Sequence, residues 1–189
     1  MLVLTLGEGG EAPQKIRKEE AEASAAILGA DSIEFGGISA FDLFVVRHEF
    51  IKVIEESLAR VKPDRVYCHT QHDRHQVHEA GARCSLIAAR YVKEIFQFEL
   101  PSTTPDFKPG VFVDISKTLD KKIECINAFK SQLNKNYMRV SAVCGLAKYR
   151  AFQAHMGHPG LHEEPVAEAF YIERMIVDSS DDYEKDTGR

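Results

Sequence analysis

Four of the chain's eight histidines fall within the ten residues His69-Thr70-Gln71-His72-Asp73-Arg74-His75-Gln76-Val77-His78, each three positions after the last. Imidazole is the commonest protein ligand for a metal, and a carboxylate beside it can bind the metal or orient the ring. A catalytic zinc takes three protein ligands and keeps a fourth position for water. His75 and His78, three apart, face the same side of an incipient helix, so both can look into one cleft. Asp73 is placed to act with them. His69 and His72 stand behind such a pair or are exposed. For any one of these histidines a solvated or helix-capping role is the plainer alternative.

Four further groups carry chemistry less distinctly. Gly7-Glu8-Gly9-Gly10 follows an apolar run, where glycines turn the backbone sharply and leave room for a ligand. Glu8 there can accept from sugar hydroxyls, or the segment is a plain connection. The pattern is not GxGxxG and lacks the Lys-Ser/Thr of a phosphate loop. Arg17 and Glu20, one turn apart, read as a surface ion pair of little energetic weight. Asp42, after Gly36-Gly37-Ile38, binds a polar ligand or caps the next helix, and capping is the simpler role. His155, His158 and His162 form a second histidine-rich loop whose spacing fits no metal signature; a lid is as good a reading.

The elements that must position these residues alternate between strand and helix. Apolar runs at 2–6, 31–36 and 65–68 read as strands, Phe96 and Phe98 begin another, and Val111, Val113 and Ile115 alternate into the next. A last strand is expected near 169–177. Helices are expected over 14–28 (apolar face Ile16, Ala21, Ala23, Ala26, Ile27, Leu28, stopped by Gly29), 43–60, 76–95 (Ala80, Cys84, Ile87 and Ala88 inward), 117–132 and 139–154. Such alternation predicts an α/β fold: a Rossmann-like, mainly parallel sheet with helices on both faces. The histidine cluster then opens at the C-terminal end of a strand, where open α/β sheets place their sites. Residues 1–177 read as one domain and 178–189 as an acidic tail with few apolar anchors.

With 189 residues, 44% of them hydrophobic and 28% charged, the chain is long enough for a real core. A net charge of −5 argues against a nucleic-acid partner held through phosphates. No apolar run reaches the roughly 20 residues that cross a membrane, and Met1–Gly7 has no basic region of a signal peptide. Cys68, Cys84, Cys125 and Cys144 have no CxxC spacing and read as buried free thiols, which points to the cytoplasm.

Taken in order, Leu4-Thr5-Leu6-Gly7-Glu8-Gly9-Gly10, Arg17-Lys18-Glu19-Glu20, Asp42 and Asp73-Arg74-His75-Gln76-Val77-His78 resemble the PIG-L/LmbE family of zinc-dependent de-N-acetylases. Glu99-Leu100-Pro101-Ser102-Thr103-Thr104, Phe107 to Ile115, Lys122, Ser131-Gln132, Ala147-Lys148-Tyr149-Arg150 and Ala167-Glu168-Ala169-Phe170 resemble one branch of it. The resemblance runs from Leu2 to Val177. It implies hydrolysis of an acetamido group on an amino sugar or glycoconjugate by zinc-activated water. His78 matches a zinc ligand, and His75 the histidine beside the oxyanion, with Asp73 joining it as a catalytic group. Glu8, Arg17 and Asp42 match positions used for polar or sugar contacts. The implied cofactor is Zn2+ and the implied partner a small acetamido-sugar substrate, with homo-oligomerisation open.

Two features depart from the family pattern. The His-Pro-Asp-Asp motif, which supplies two ligands and the base, is absent, so the first strand–helix unit is expected to be missing and the zinc site incomplete. Val77 stands where an Asp is usual. The resemblance therefore implies that these 189 residues alone turn over little or nothing, and that neighbouring strand edges are exposed, favouring self-association. A non-catalytic sugar- or protein-binding module derived from the same fold is the alternative, ahead of a flavodoxin-like nucleotide-binding module.

Overall fold

The histidine segment leaves a five-residue strand that pairs along its whole length with the next one in sequence. In the computed structural model, which describes residues 1–6, 12–40, 47–156 and 164–177, these are β3 (Arg65–His69) and β4 (Glu94–Phe98), parallel and in register from Arg65–Glu94 to His69–Phe98. The register opposes a cation to an anion at the first pair, and Arg65 and Glu94 form an ion pair there. Between the strands runs α3 (Gln76–Ala88). It ends earlier than the expected 76–95, because residues 89–93 turn to admit β4.

β1 (Leu2–Val3) and β2 (Glu34–Phe35) form a separate two-stranded parallel sheet, joined by α1 (Gln14–Leu28). Gly29 closes α1 at φ 81°, the left-handed conformation that glycine adopts without steric cost. α2 (Arg47–Val61) leads from β2 to β3 and packs against α3. The rest of the chain adds β5 (Val111–Asp114), α4 (Leu119–Asn127), two 3₁₀ turns, α5 (Val140–Gln153) and β6 (Ala167–Met175). β6 lies between β4 and β5 and is antiparallel to both, giving the order β3-β4-β6-β5. The α/β class holds as expected. Parallel pairing is confined to β1–β2 and β3–β4 among the described residues, because β6 arrives from α5 in the opposite direction.

Two apolar clusters hold the first half. Ile38, Phe50, Ile54, Cys84 and Ala88 pack with Leu2 and Leu4 of the first strand and with Val77. Cys68, Ala89 and Ile95 form the second. Gly36 is needed where the chain passes β1: a Cβ there would stand 2.9 Å from the Leu4 carbonyl oxygen. The inward face of α1 differs from its apolar pattern. Ile16 and Leu28 are exposed, whereas Glu20, Ala21 and Ala25 are buried, and α1 packs against α4. Ile87 on α3 is likewise exposed. Of the four cysteines, all free, Cys68 and Cys84 are buried and Cys125 and Cys144 only partly so. Among the described residues no helix is long and apolar enough to cross a membrane.

Candidate functional site

The turn from β3 into α3 is organised by one carboxylate. Asp73 is buried. Its Oδ1 accepts the His75 backbone N–H at 2.7 Å, a local bond that short acidic side chains make two residues along. Its Oδ2 lies 3.1 Å from His78 Nδ1. The Ser102 hydroxyl donates to it as well. Burial alone would raise the Asp73 pKa, but the bonds from Ser102, His75 and His78 outweigh it and hold the group below its usual range. The carboxylate is therefore charged at neutral pH, and His78 donates its Nδ1 proton to it.

His75 occupies the N-cap of α3, so one helical turn places His78 above it. The two rings stack at 4.3 Å. His69, from the end of β3, also stacks on His78, at 4.6 Å and 8°, and leans on Phe98. Its Nδ1 is enclosed and has no hydrogen-bond partner. Burial, together with the neighbouring His78, drives the His69 pKa down to about 4, with Asp73 opposing. Burial also lowers that of His78, against the pull of Asp73. Both rings are neutral at pH 7, the state in which imidazole binds a metal.

The structure thus brings together Asp73, His75 and His78 as the spacing suggested, and adds His69 and Ser102 to them. Ser102 lies well beyond His78 in the chain, and nothing in local spacing pointed to it. Val77, between the two histidines, points away and packs with the Ile38–Phe50–Ile54–Cys84–Ala88 cluster. An aspartate there would meet apolar neighbours, and valine suits the position.

Arg17 lies elsewhere. Its Nη1 sits 3.2 Å from Glu20 Oε2, and its guanidinium stands over the Phe129 ring. Glu20 also accepts from the Ser131 N–H at 2.6 Å and the Ser131 hydroxyl at 2.8 Å. The pair read from the sequence as a surface contact is a buried brace between α1 and the 3₁₀ turn at Lys130–Gln132. Glu8, Asp42, His158 and His162 lie outside the described residues. Their flanks are informative for the first two. The Gly36 N–H donates to the Val3 carbonyl and the Ile38 N–H to the Leu4 carbonyl, so the segments leading to Glu8 and Asp42 leave from adjacent strand ends.

Can these residues hold a zinc? His78 has the arrangement of a ligand histidine: one ring nitrogen fixed by a carboxylate, the other, Nε2, left for a second partner. A complete set is another matter. Among the described residues no group of three or more His, Cys, Asp or Glu side chains is arranged to bind a metal ion. His78 fits as one ligand of a larger set.

The family model for the GlcNAc-PI de-N-acetylases, PIG-L, matches residues 1–89, which include the whole histidine segment. The chain is 28% identical over 121 residues to the uncharacterized deacetylase YaiS of Escherichia coli strain K12, a match over 61% of this chain and 65% of that one. It thus spans somewhat under two thirds of that relative. In fold it resembles the conserved protein TT1542 of Thermus thermophilus, with a TM-score of 0.77 at 24% identity over 95% of this chain and 83% of that one. It also resembles GalB, the 4-carboxy-2-hydroxymuconate hydratase of Pseudomonas putida KT2440, with a TM-score of 0.73 at 21% identity over 94% and 84%. The N,N'-diacetylchitobiose deacetylase of Pyrococcus horikoshii follows at 0.69 and 18%, over 90% and 71%. At these identities the solved structures speak for the fold alone. The resemblance to the PIG-L/LmbE family read from the sequence holds.

Proposed function

We propose that this chain, PIG-L-like over its first 89 residues and LmbE-like in fold, is the site-bearing part of a hydrolase that removes an N-acetyl group from an amino sugar or glycoconjugate. The observation that carries the reading is the buried Asp73 carboxylate fixing His78 through Nδ1, inside the segment the family model matches. His78 would hold a zinc ion through Nε2. When bound, such a metal lowers the pKa of its water and polarises the amide oxygen. Asp73 keeps His78 in one tautomer and one orientation. His75, exposed at the N-terminus of α3, would donate a hydrogen bond toward an oxyanion beside His78. Glu8 and Asp42 are the candidates for sugar hydroxyls. Arg17 joins them only through the family resemblance, since its guanidinium is engaged by Glu20. The family resemblance assigns the remaining ligands and the base to a His-Pro-Asp-Asp motif that these 189 residues do not contain, and the proposed reaction belongs in the cytoplasm.

Acetate release tests this. The protein purified from its natural source, since these 189 residues alone are expected to turn over little or nothing, is treated with a chelator, reloaded with zinc and offered N-acetylglucosamine, N,N'-diacetylchitobiose and an N-acetylglucosaminyl glycolipid. Zinc-dependent acetate release that His78→Ala abolishes is the expected result. Release unchanged in His78→Ala would sink the assignment.

A non-catalytic sugar-binding module would instead bind the same acetamido sugars, seen by calorimetry, without releasing acetate at any zinc concentration.

A further inference from the structure

The loop after β4 contacts the histidine turn from the side, and a residue far from the histidines holds that loop. The Arg74 N–H donates to the Ser102 carbonyl at 3.0 Å and the Thr104 N–H to the His72 carbonyl at 2.8 Å, with Asp73 and Thr103 paired as an antiparallel bridge. The Ser102 hydroxyl reaches Asp73 from the same loop. The placement of Asp73, and through it of His78, therefore depends on where residues 99–107 lie.

Arg150 of α5 grips both ends of that loop. Its Nε donates to Glu99 Oε1 at 2.7 Å and its Nη2 to Glu99 Oε2, a two-point fork with both side chains about nine-tenths buried. Its guanidinium also stands 5.8 Å from the centre of the buried Phe107 ring. Between these anchors the loop is closed on itself, with the Leu100 N–H donating to Thr103 Oγ1 and the Phe107 N–H to the Thr104 carbonyl. A second brace comes from β4. Gln97 accepts the Gln71 N–H at 3.0 Å and donates to Glu173 at 2.8 Å.

We infer that Arg150, clamping Glu99 and Phe107, is a positioning residue that sets the Ser102–Asp73–His78 geometry from across the loop. The inference builds on His78 as a ligand that must be held, but what it asserts can be read without metal or substrate. A lysine cannot replace the fork, because an ammonium is a point charge.

The test uses the full chain labelled with 15N-histidine, free of metal, at neutral pH. Ring-nitrogen shifts should report His78 as a single Nδ1–H tautomer in the wild type. In Arg150→Met the single-tautomer pattern is lost, and the Arg74 and Thr104 amides exchange with solvent at least about tenfold faster as the bridge opens locally. Glu99→Gln, close in shape, shows the same loss if Arg150→Met does not fold, and Arg150→Lys falls between. Lys148→Met, on the same helix but exposed, changes neither signal. Wild-type tautomer and exchange in folded Arg150→Met or Glu99→Gln would overturn the inference. So would unfolding of all three clamp variants, which would make the pair a stability element. Failure of deacetylation alone would leave the tautomer result standing, so the two ideas fail separately.

Discussion

Glu20 and Asp73 are both buried carboxylates, 7% and 6% exposed, and each gathers three donors. Around Glu20 the donors are the Ser131 N–H, the Ser131 hydroxyl and Arg17. All three are consumed in joining α1 to the turn at Lys130–Gln132, and the cluster is closed. Around Asp73 one of the three donors is an imidazole, and a ring nitrogen that gives its proton to a carboxylate still has a second nitrogen to offer. Burial of a charge is thus common to a brace and to a site. What separates them is whether a donor retains chemistry after the carboxylate is satisfied.

The largest expected effect breaks the pair at Asp73. Asp73→Asn should lower kcat/KM for acetate release by about 10–100-fold, since removing the partner that orients a ligand histidine has costs of that size. The equivalent change on the other side should leave catalysis per folded molecule alone and cost stability. Glu20→Ala takes the acceptor from a half-buried Arg17 guanidinium and from the part-buried Ser131 N–H, and should lower unfolding stability by about 2 kcal/mol, read from a urea titration. An activity loss in the second variant as deep as in the first would erase the distinction.

Acid sharpens it further. His69 is held at about 4 against an ordinary 6.5. Between those values the unfolded chain binds the extra proton and the folded one does not. Stability therefore rises with pH through the window and is lost as pH falls from about 6.5 to 4. A shift of that size corresponds to on the order of 3 kcal/mol. The lowered pKa of Asp73 adds a loss at still lower pH. His69→Phe should flatten the slope between pH 4 and 6.5 in urea midpoints, and a slope unchanged in that variant would remove His69 as its source. The smallest expected effect concerns Val77. Val77→Asp should cost about 2 kcal/mol by placing a carboxylate against the Phe50–Cys84 cluster. A neutral or more active variant would show that the position tolerates the family's usual residue.

Local order was legible in the chain because it depends on neighbours in sequence. α1 runs Gln14–Leu28 and stops at Gly29, as its periodicity and glycine predict. β3 and the turn into α3 lie where the apolar run and the histidines put them. The inward face of α1 was not legible. Hydrophobicity selects Ile16 and Leu28, but the buried positions include Glu20, whose partner Ser131 is 111 residues away. A charged residue reads as exposed until its partners are known. Sheet order was hidden for the same reason: periodicity identifies a strand but not its neighbour, and β6 entering between β4 and β5 is a long-range choice.

By itself the sequence determined which groups meet: Asp73, His75 and His78 on one turn, because residues a few positions apart at a strand–helix junction come together through backbone geometry alone. Only the tertiary structure decided which nitrogen of His78 is free, that Val77 belongs to the core, that Arg17 serves a buried carboxylate, and that Ser102 and Arg150 stand behind Asp73. Each of these rests on contacts between segments distant in the chain. Such contacts follow from which surfaces must be buried together, and no local pattern encodes that.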